Sequence, residues 1–149
     1  MGTILPQPVA VQPGSGRKLK SLGVTHLLTS AQTGAAYYLC EAIFGPESGS
    51  PLHIHHHETE VIFVLDGAID IRLDNDKLHA PVGGIVHLPK KIPHALYNPL
   101  KSPLKIMVYA IPGGLEGYFD DVDAAIQNGT FDAVTHTQIS AKYGLEWLE

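Results

Sequence analysis

PLHIHHHETEVIFVLDG, residues 51–67, crowds His53, His55, His56 and His57 into one short stretch and follows them with Glu58 and Glu60. The second half, EVIFVLDG (60–67), is rich in β-branched and aromatic residues and reads as a strand. It ends in Asp66-Gly67, a hairpin-turn signal. On a strand, residues i and i+2 share one face, about 6.5 Å apart. Two overlapping pairs of imidazoles could therefore converge on one ion, His53 with His55 or His55 with His57. His56 faces away in either case. Glu60 opens the apolar run, which leaves 56–59 as a polar turn between two strands. Taken alone, such a cluster is more often solvated surface than ligand.

The pattern spreads outward from this stretch. AIDIRLD (68–74) alternates apolar and polar residues, and Asn75-Asp76 begins the next turn. VTHLLTS (24–30), GAAYYLCEAIF (34–44), LHAPV, GIVHL, HALYN and LKIMVYAI are further short runs separated by turn residues. The chain holds 15 Gly and 11 Pro in 149 residues, more turn-formers than a helical bundle uses. Short, regularly spaced strands predict an all-β sandwich or barrel. Residues 1–16 carry Pro6, Pro8 and Pro13 and read as an arm or edge segment, since proline cannot donate to a central ladder. After residue 113 the period changes. Leu115, Tyr118, Phe119, Val122 and Ile126 have helical offsets, with Gly129 as C-cap. A second short helix is expected from Thr135 to Gly144.

Composition narrows the function. The chain is 44% hydrophobic and 17% charged, with a formal net charge of −5 and no basic patch. That argues against nucleic-acid binding. No apolar run is long enough to span a membrane, and the N-terminus lacks a charged start followed by an apolar core. The expectation is a soluble, cytoplasmic protein. The single cysteine, Cys40, excludes an internal disulfide framework and reads as a small buried apolar residue.

A second histidine block, GGIVHLPKKIPHALYN (83–98), supplies a linked pattern. Together the two blocks resemble the cupin family. In the first cupin motif a His-x-His pair is followed by three or four residues, Glu, six residues and Gly. His53-x-His55, Glu60 and Gly67 match it, whereas His55-x-His57 leaves two residues before Glu60. Gly49, however, lies at the motif's opening distance from His55 rather than from His53. In the second motif Gly83, Pro89, His94 and Asn98 match, and Lys91 replaces the usual Gly.

The resemblance implies a cupin double-stranded β-helix, a jelly-roll barrel with short C-terminal helices. Its implied limits are an arm over 1–22, a barrel over 23–113 and a helical tail over 114–149. It implies that His53, His55, Glu60 and His94 bind one divalent transition metal. Three imidazoles and a carboxylate suit Fe, Mn, Ni, Co or Zn without selecting one. Four ligands leave room on an octahedral ion for substrate, O2 or water. His56 and His57 are then non-ligands, and His26, His79, His87 and His136 are surface or hydrogen-bonded histidines.

Within the cupins, PLHIHHHETEVIFVLDGAIDI, PGGLEGYFDDV and SAKYGLEWLE are similar to the single-domain bacterial quercetin 2,3-dioxygenase-like group. That similarity implies a dioxygenase acting on a flavonol-like or other enolisable aromatic substrate. The flavonol 3-hydroxyl would bind the metal, and O2 would cleave the heterocycle with release of carbon monoxide. Glu60 would serve as both ligand and catalytic base, in a pocket lined by Ile62, Val64, Leu96 and Tyr38. The same ligand set also serves isomerases, epimerases, decarboxylases and non-catalytic binding proteins. Arg72 and Lys105, the cations nearest the strands, are as consistent with outward as with inward facing. Small cupins often pair, so a homodimer joined through the arm is expected.

Overall fold

A computed structural model describes residues 5–149. The first four residues of the expected arm lie outside the described residues. Eleven short strands form: β1 (Arg17–Lys18), β2 (Val24–Leu28), β3 (Tyr38–Phe44), β4 (His53–His55), β5 (Thr59–Asp66), β6 (Ala68–Arg72), β7 (Lys77–Pro81), β8 (Ile85–Leu88), β9 (Ala95–Tyr97), β10 (Leu104–Ile111) and β11 (Leu145–Trp147). Three helices accompany them: α1 (Ser30–Thr33), α2 (Glu116–Gln127) and α3 (Ala133–Lys142). None is long and apolar enough to cross a membrane.

One sheet has the order β1-β2-β3-β10-β5-β8 and the other β7-β6-β9. The pair β11-β4 joins the smaller sheet through the antiparallel bridges His53↔His94 and Gly49↔Tyr97. The alternation of β5 sends Glu60, Ile62 and Val64 inward. Ile62 and Val64, with Leu104 and Ile106 of β10 in the same sheet, meet Ile69 and Ile71 of β6 from the opposite sheet in one apolar core.

Two turns show how the sheets connect. Residues Leu73–Asp76 close a true hairpin, with the Leu73 N–H donating to the Asp76 carbonyl at 2.9 Å and Arg72 opposite Lys77. Asp66-Gly67, expected to close another, does not. β5 and β6 lie in different sheets, so this turn is a corner that carries the chain across the core. Gly67 supplies the left-handed φ of 87° that the corner needs. The local signal identified a turn, but a turn dipeptide cannot report which strands pair.

Helix α2 is fixed to the larger sheet by carboxylates spaced along its length. Glu116 accepts from the Ser30 N–H at 2.7 Å, Asp123 accepts from the Ser21 N–H at 2.6 Å, and Asp120 meets both Arg17 and the buried His26 at 2.9 Å. His26 also hydrogen-bonds the Tyr38 hydroxyl. The last three-residue element differs from the expected helical tail. After Gly144, whose φ is 67°, the chain becomes strand β11 and pairs with β4, placing Leu145 opposite His55 and Trp147 opposite His53. Glu149 then bonds the Leu52 N–H and Arg72.

Candidate metal centre

Strand β4 ends at His55, so the structure brings His53 and His55 together and leaves His57 apart. His53 and His55 are buried on one face, whereas the chain leaves the strand at His56 and His57 is exposed. His56 pairs with Glu146 at 2.7 Å on the surface, and the His57 ring lies beside Gly144. A Cβ at Gly144 would stand 2.6 Å from that ring, so glycine makes room for it.

His94 arrives from the second block, directly across from His53. The two backbones exchange hydrogen bonds, each N–H donating to the other's carbonyl at 3.0 Å. The turn before His94 holds Lys91 at φ 70°, the conformation glycine takes without strain. The Lys91 N–H donates to the His55 carbonyl at 2.8 Å, which ties the turn to β4. The replacement of Gly by Lys therefore leaves the turn intact, at a backbone cost of about 1–2 kcal/mol. Gly49 has a separate reason to be glycine. Its Cβ would lie 2.0 Å from the Leu96 carbonyl oxygen where the two segments approach. Its spacing thus serves strand packing and does not select the His55/His57 pair.

Ring nitrogens of His53, His55 and His94 lie within 4.8 Å of one another, and all three residues are buried. Hydrogen bonds determine which nitrogens face inward. His53 donates from Nδ1 to the Pro51 carbonyl at 2.8 Å, and His94 from Nδ1 to the Ile92 carbonyl at 3.0 Å. A carbonyl only accepts, so Nδ1 is protonated in both rings, and Nε2 is the nitrogen each ring turns toward the group. Glu60 faces the group, with Oε1 3.5 Å from His55 Nε2 and Oε2 3.4 Å from His94 Nε2. Among the described residues, His94 Nε2 and Glu60 Oε2 are buried without a hydrogen-bond partner. Buried polar atoms of this kind need a partner, and a divalent cation among these N and O donors satisfies them. The residues fit a metal.

Charge follows the same arrangement. Burial pushes the Glu60 carboxyl up, but the rings of His55, His94 and His53 outweigh it and bring its pKa to about 2. Burial and the adjacent His94 ring lower His53 to about 4, so it stays neutral. Burial also opposes charge on His55, yet Glu60 and Glu58 raise its pKa. Glu58 has no role in the sequence reading beyond the polar turn. It is buried, with Oε2 3.5 Å from His55 Nδ1, and neither atom has another partner. Its sequence signal is parity, since positions 58 and 60 fall on the same side of an extended chain.

A cavity of about 130 Å³ adjoins the group, and His53, His55 and Glu60 form its polar wall. Ala42 and Phe44 of β3, Ile106 and Val108 of β10, Phe119 of α2 and Trp147 of β11 are among its apolar walls. Leu96 and Cys40 also line it. Ile62, Val64 and Tyr38, expected as lining, do not. They are buried in the core, and Tyr38 is turned toward His26. The resemblance implied them as lining, but inward residues divide between core and cavity according to how the sheets pack. Trp147 stacks beside His53 at a centroid separation of 4.8 Å. The other histidines are engaged elsewhere: His79 with Asp70 at 2.7 Å and His136 with the Tyr118 hydroxyl at 2.8 Å, while His87 lies exposed on the outer face of β8. Arg72 and Lys105 pair on the outside with Glu149 and Glu41.

A family profile for the cupin domain matches residues 41–110, the span from β3 to β10. Residues 41–110 are thus similar to a cupin domain. An uncharacterized protein of Methanocaldococcus jannaschii is 34% identical over 79 residues, which are 53% of this chain and 63% of that protein. The chain therefore covers less than two thirds of this relative. Among solved structures, a cupin 2 conserved barrel domain protein from Salinispora arenicola is similar with a TM-score of 0.56 and 16% identity, covering 91% of this chain and 99% of that one. A predicted oxalate decarboxylase from Thermotoga maritima is similar with a TM-score of 0.55 and 21% identity, over 60% of this chain and 78% of that one. At these identities the likeness is one of fold, and the cupin fold hosts many chemistries.

Proposed function

We propose that the protein is a metal-dependent cupin enzyme, a mononuclear dioxygenase acting on an enolisable aromatic substrate. His53, His55, His94 and Glu60 would hold one Fe, Mn, Ni, Co or Zn ion. One observation carries the reading: His94 and Glu60, whose Nε2 and Oε2 are buried without a partner among the described residues, converge with His53 and His55 beside an apolar cavity. The ion, when bound, supplies Lewis-acid polarisation and open positions for substrate oxygen and O2. The chain's own residues do the rest. His53, held neutral by burial and the adjacent His94 ring, offers its Nε2 lone pair without first losing a proton, and His94 turns its Nε2 to the same group. Glu60, ionised, accepts the substrate hydroxyl proton at a carboxylate oxygen, provided that oxygen lies within hydrogen-bond reach. The apolar walls exclude water and hold the ring.

The apolar lining favours this reading over an epimerase or isomerase acting on sugar phosphates, because among the described residues neither lysine nor arginine lines the cavity. Decarboxylation is the second reading, since the Thermotoga maritima neighbour is a predicted oxalate decarboxylase. Metal analysis of protein purified without chelators, paired with O2 uptake against flavonols and smaller enolisable phenols, tests the two. Metal without O2 uptake, together with CO2 release from an aromatic acid, would replace the first reading with the second. The arm over 1–22, the barrel over 23–113 and the tail over 114–149 are proposed as its organisation. We also propose that it forms a homodimer, for which Leu5 and Val9, exposed on the arm, offer apolar contacts. Light scattering at micromolar concentration decides that point.

A further inference from the structure

The cavity beside the histidines is small and nearly free of unengaged polar groups. We propose that it selects a ligand with the bulk of a single ring, bearing oxygen donors along one edge and no charge elsewhere. The inference rests on the metal-site reading for the oxygen edge and on the cavity alone for size and polarity.

Volume is the first observation. An apolar cavity of about 150 Å³ takes one benzene, and this one is about 130 Å³. Clefts that enclose drug-sized ligands are larger, about 300–1,000 Å³. A flavonol, with three rings, exceeds the space unless the walls move. Polarity is the second. The Ser50 hydroxyl already accepts from the Leu96 N–H at 3.0 Å, and the Tyr118 hydroxyl is bonded to His136 at 2.8 Å. Cys40 offers a thiol whose pKa burial pushes up to about 12, so it presents no charge. With no lysine or arginine in the walls among the described residues, a carboxylate or phosphate on the far side of the ligand would be buried without a partner. That is a strongly unfavourable state. The oxygen edge must therefore meet His53, His55 and Glu60, and the opposite edge must be hydrocarbon.

Two walls set the size. Phe119 comes from α2 and Trp147 from β11, so segments outside the matched cupin stretch define how large a ring enters. Trp147 also packs on His53 and positions it, which makes Phe119 the cleaner handle.

The test uses full-length protein loaded with Zn(II), which is redox-inert, under anaerobic conditions with calorimetric titration. The probes are catechol, 2,3-dihydroxynaphthalene and 3,4-dihydroxybenzoate, which share one oxygen pair and differ in bulk and in distal charge. Catechol is expected to bind about tenfold or more tightly than the naphthalene diol, the scale on which pockets discriminate size. It is expected to exceed the benzoate by about 100-fold, because the distal carboxylate finds no partner. Phe119→Ala enlarges the space and should raise naphthalene-diol affinity about tenfold. Equal affinity for catechol and either competitor in wild type overturns the proposal. Zinc stoichiometry in the same samples keeps the two readings apart. If no zinc binds, the metal-site reading fails, and size is then read on metal-free protein by thermal stabilisation with toluene against 2-methylnaphthalene. Equal stabilisation by both overturns the size claim, and stabilisation by toluene alone supports it.

Discussion

Glu58→Gln should weaken metal binding while leaving the metal-free protein as stable as before, or more so. Glu58 Oε2 and His55 Nδ1 are buried 3.5 Å apart, and each lacks any other partner. His53 and His94 give their Nδ1 protons to carbonyls, so of the three rings it is His55 whose Nδ1 faces a carboxylate. A carboxylate on the far nitrogen fixes the ring and makes Nε2 a better donor. Losing such a partner typically costs about 10- to 100-fold in metal affinity, or roughly 1.4–2.8 kcal/mol at 1.4 kcal/mol per tenfold. Glutamine keeps the volume and can still accept through its carbonyl, so the loss should fall toward the lower end. Glu58→Leu removes the acceptor and should fall toward the upper end. Stability should move the other way, because a buried carboxylate short of hydrogen bonds is itself unfavourable. The assay is competition for Zn(II) against a chromophoric chelator, set beside thermal melts of the metal-free variants. Wild-type affinity in both variants would refute the reasoning. So would a loss of affinity matched by an equal loss of metal-free stability, which would make Glu58 a packing residue only.

Two further substitutions probe the frame of the site. Asn98 is fully buried, donates to the Gly45 and Ser102 carbonyls at 3.0 and 2.8 Å and accepts from the Leu100 N–H at 3.0 Å; Asn98→Ala should lower unfolding free energy by about 3 kcal/mol, since it strands buried partners, and urea denaturation reads this. Glu116 has its carboxyl pushed up by burial but lowered overall by hydrogen bonds from Ser30 and Gly114. Its folded pKa lies below its unfolded value, so its stabilisation is complete above the ordinary carboxyl pKa of about 4.3 and is lost as pH falls through the folded value. Metal-free wild type should therefore melt above Glu116→Gln at neutral pH, and the gap should close in acid; a gap that widens on acidification contradicts the assignment.

The ligand pattern was readable because it is local. His53, His55 and Glu60 sit in strands whose period fixes their faces, and His94 follows a proline-shaped turn. The placing of His53 beside His55, with His57 outside the group, follows from the end of β4. What escaped depends on tertiary packing. Asp66-Gly67 marked a reversal of direction, but whether a reversal stays in one sheet depends on the distant strands that cover each edge. Ile62 and Val64 were correctly placed inward, yet the empty space lies elsewhere, against β3, β10 and the C-terminal segment. Leu145 and Trp147 show period-two spacing after Gly144. A three-residue strand is too short for that alternation to stand out, and its partner β4 lies about ninety residues earlier in the chain.

Metal content measured on wild type, His53→Ala and His57→Ala, each purified without chelators and then offered Fe, Mn, Ni, Co and Zn in turn, bears most directly on the site. The geometry predicts about one ion per chain in wild type and in His57→Ala, whose ring lies outside the group, and a sharp loss in His53→Ala. Wild type that takes up none of the five metals would contradict the account, as would a His57 variant that loses its metal while the His53 variant keeps it.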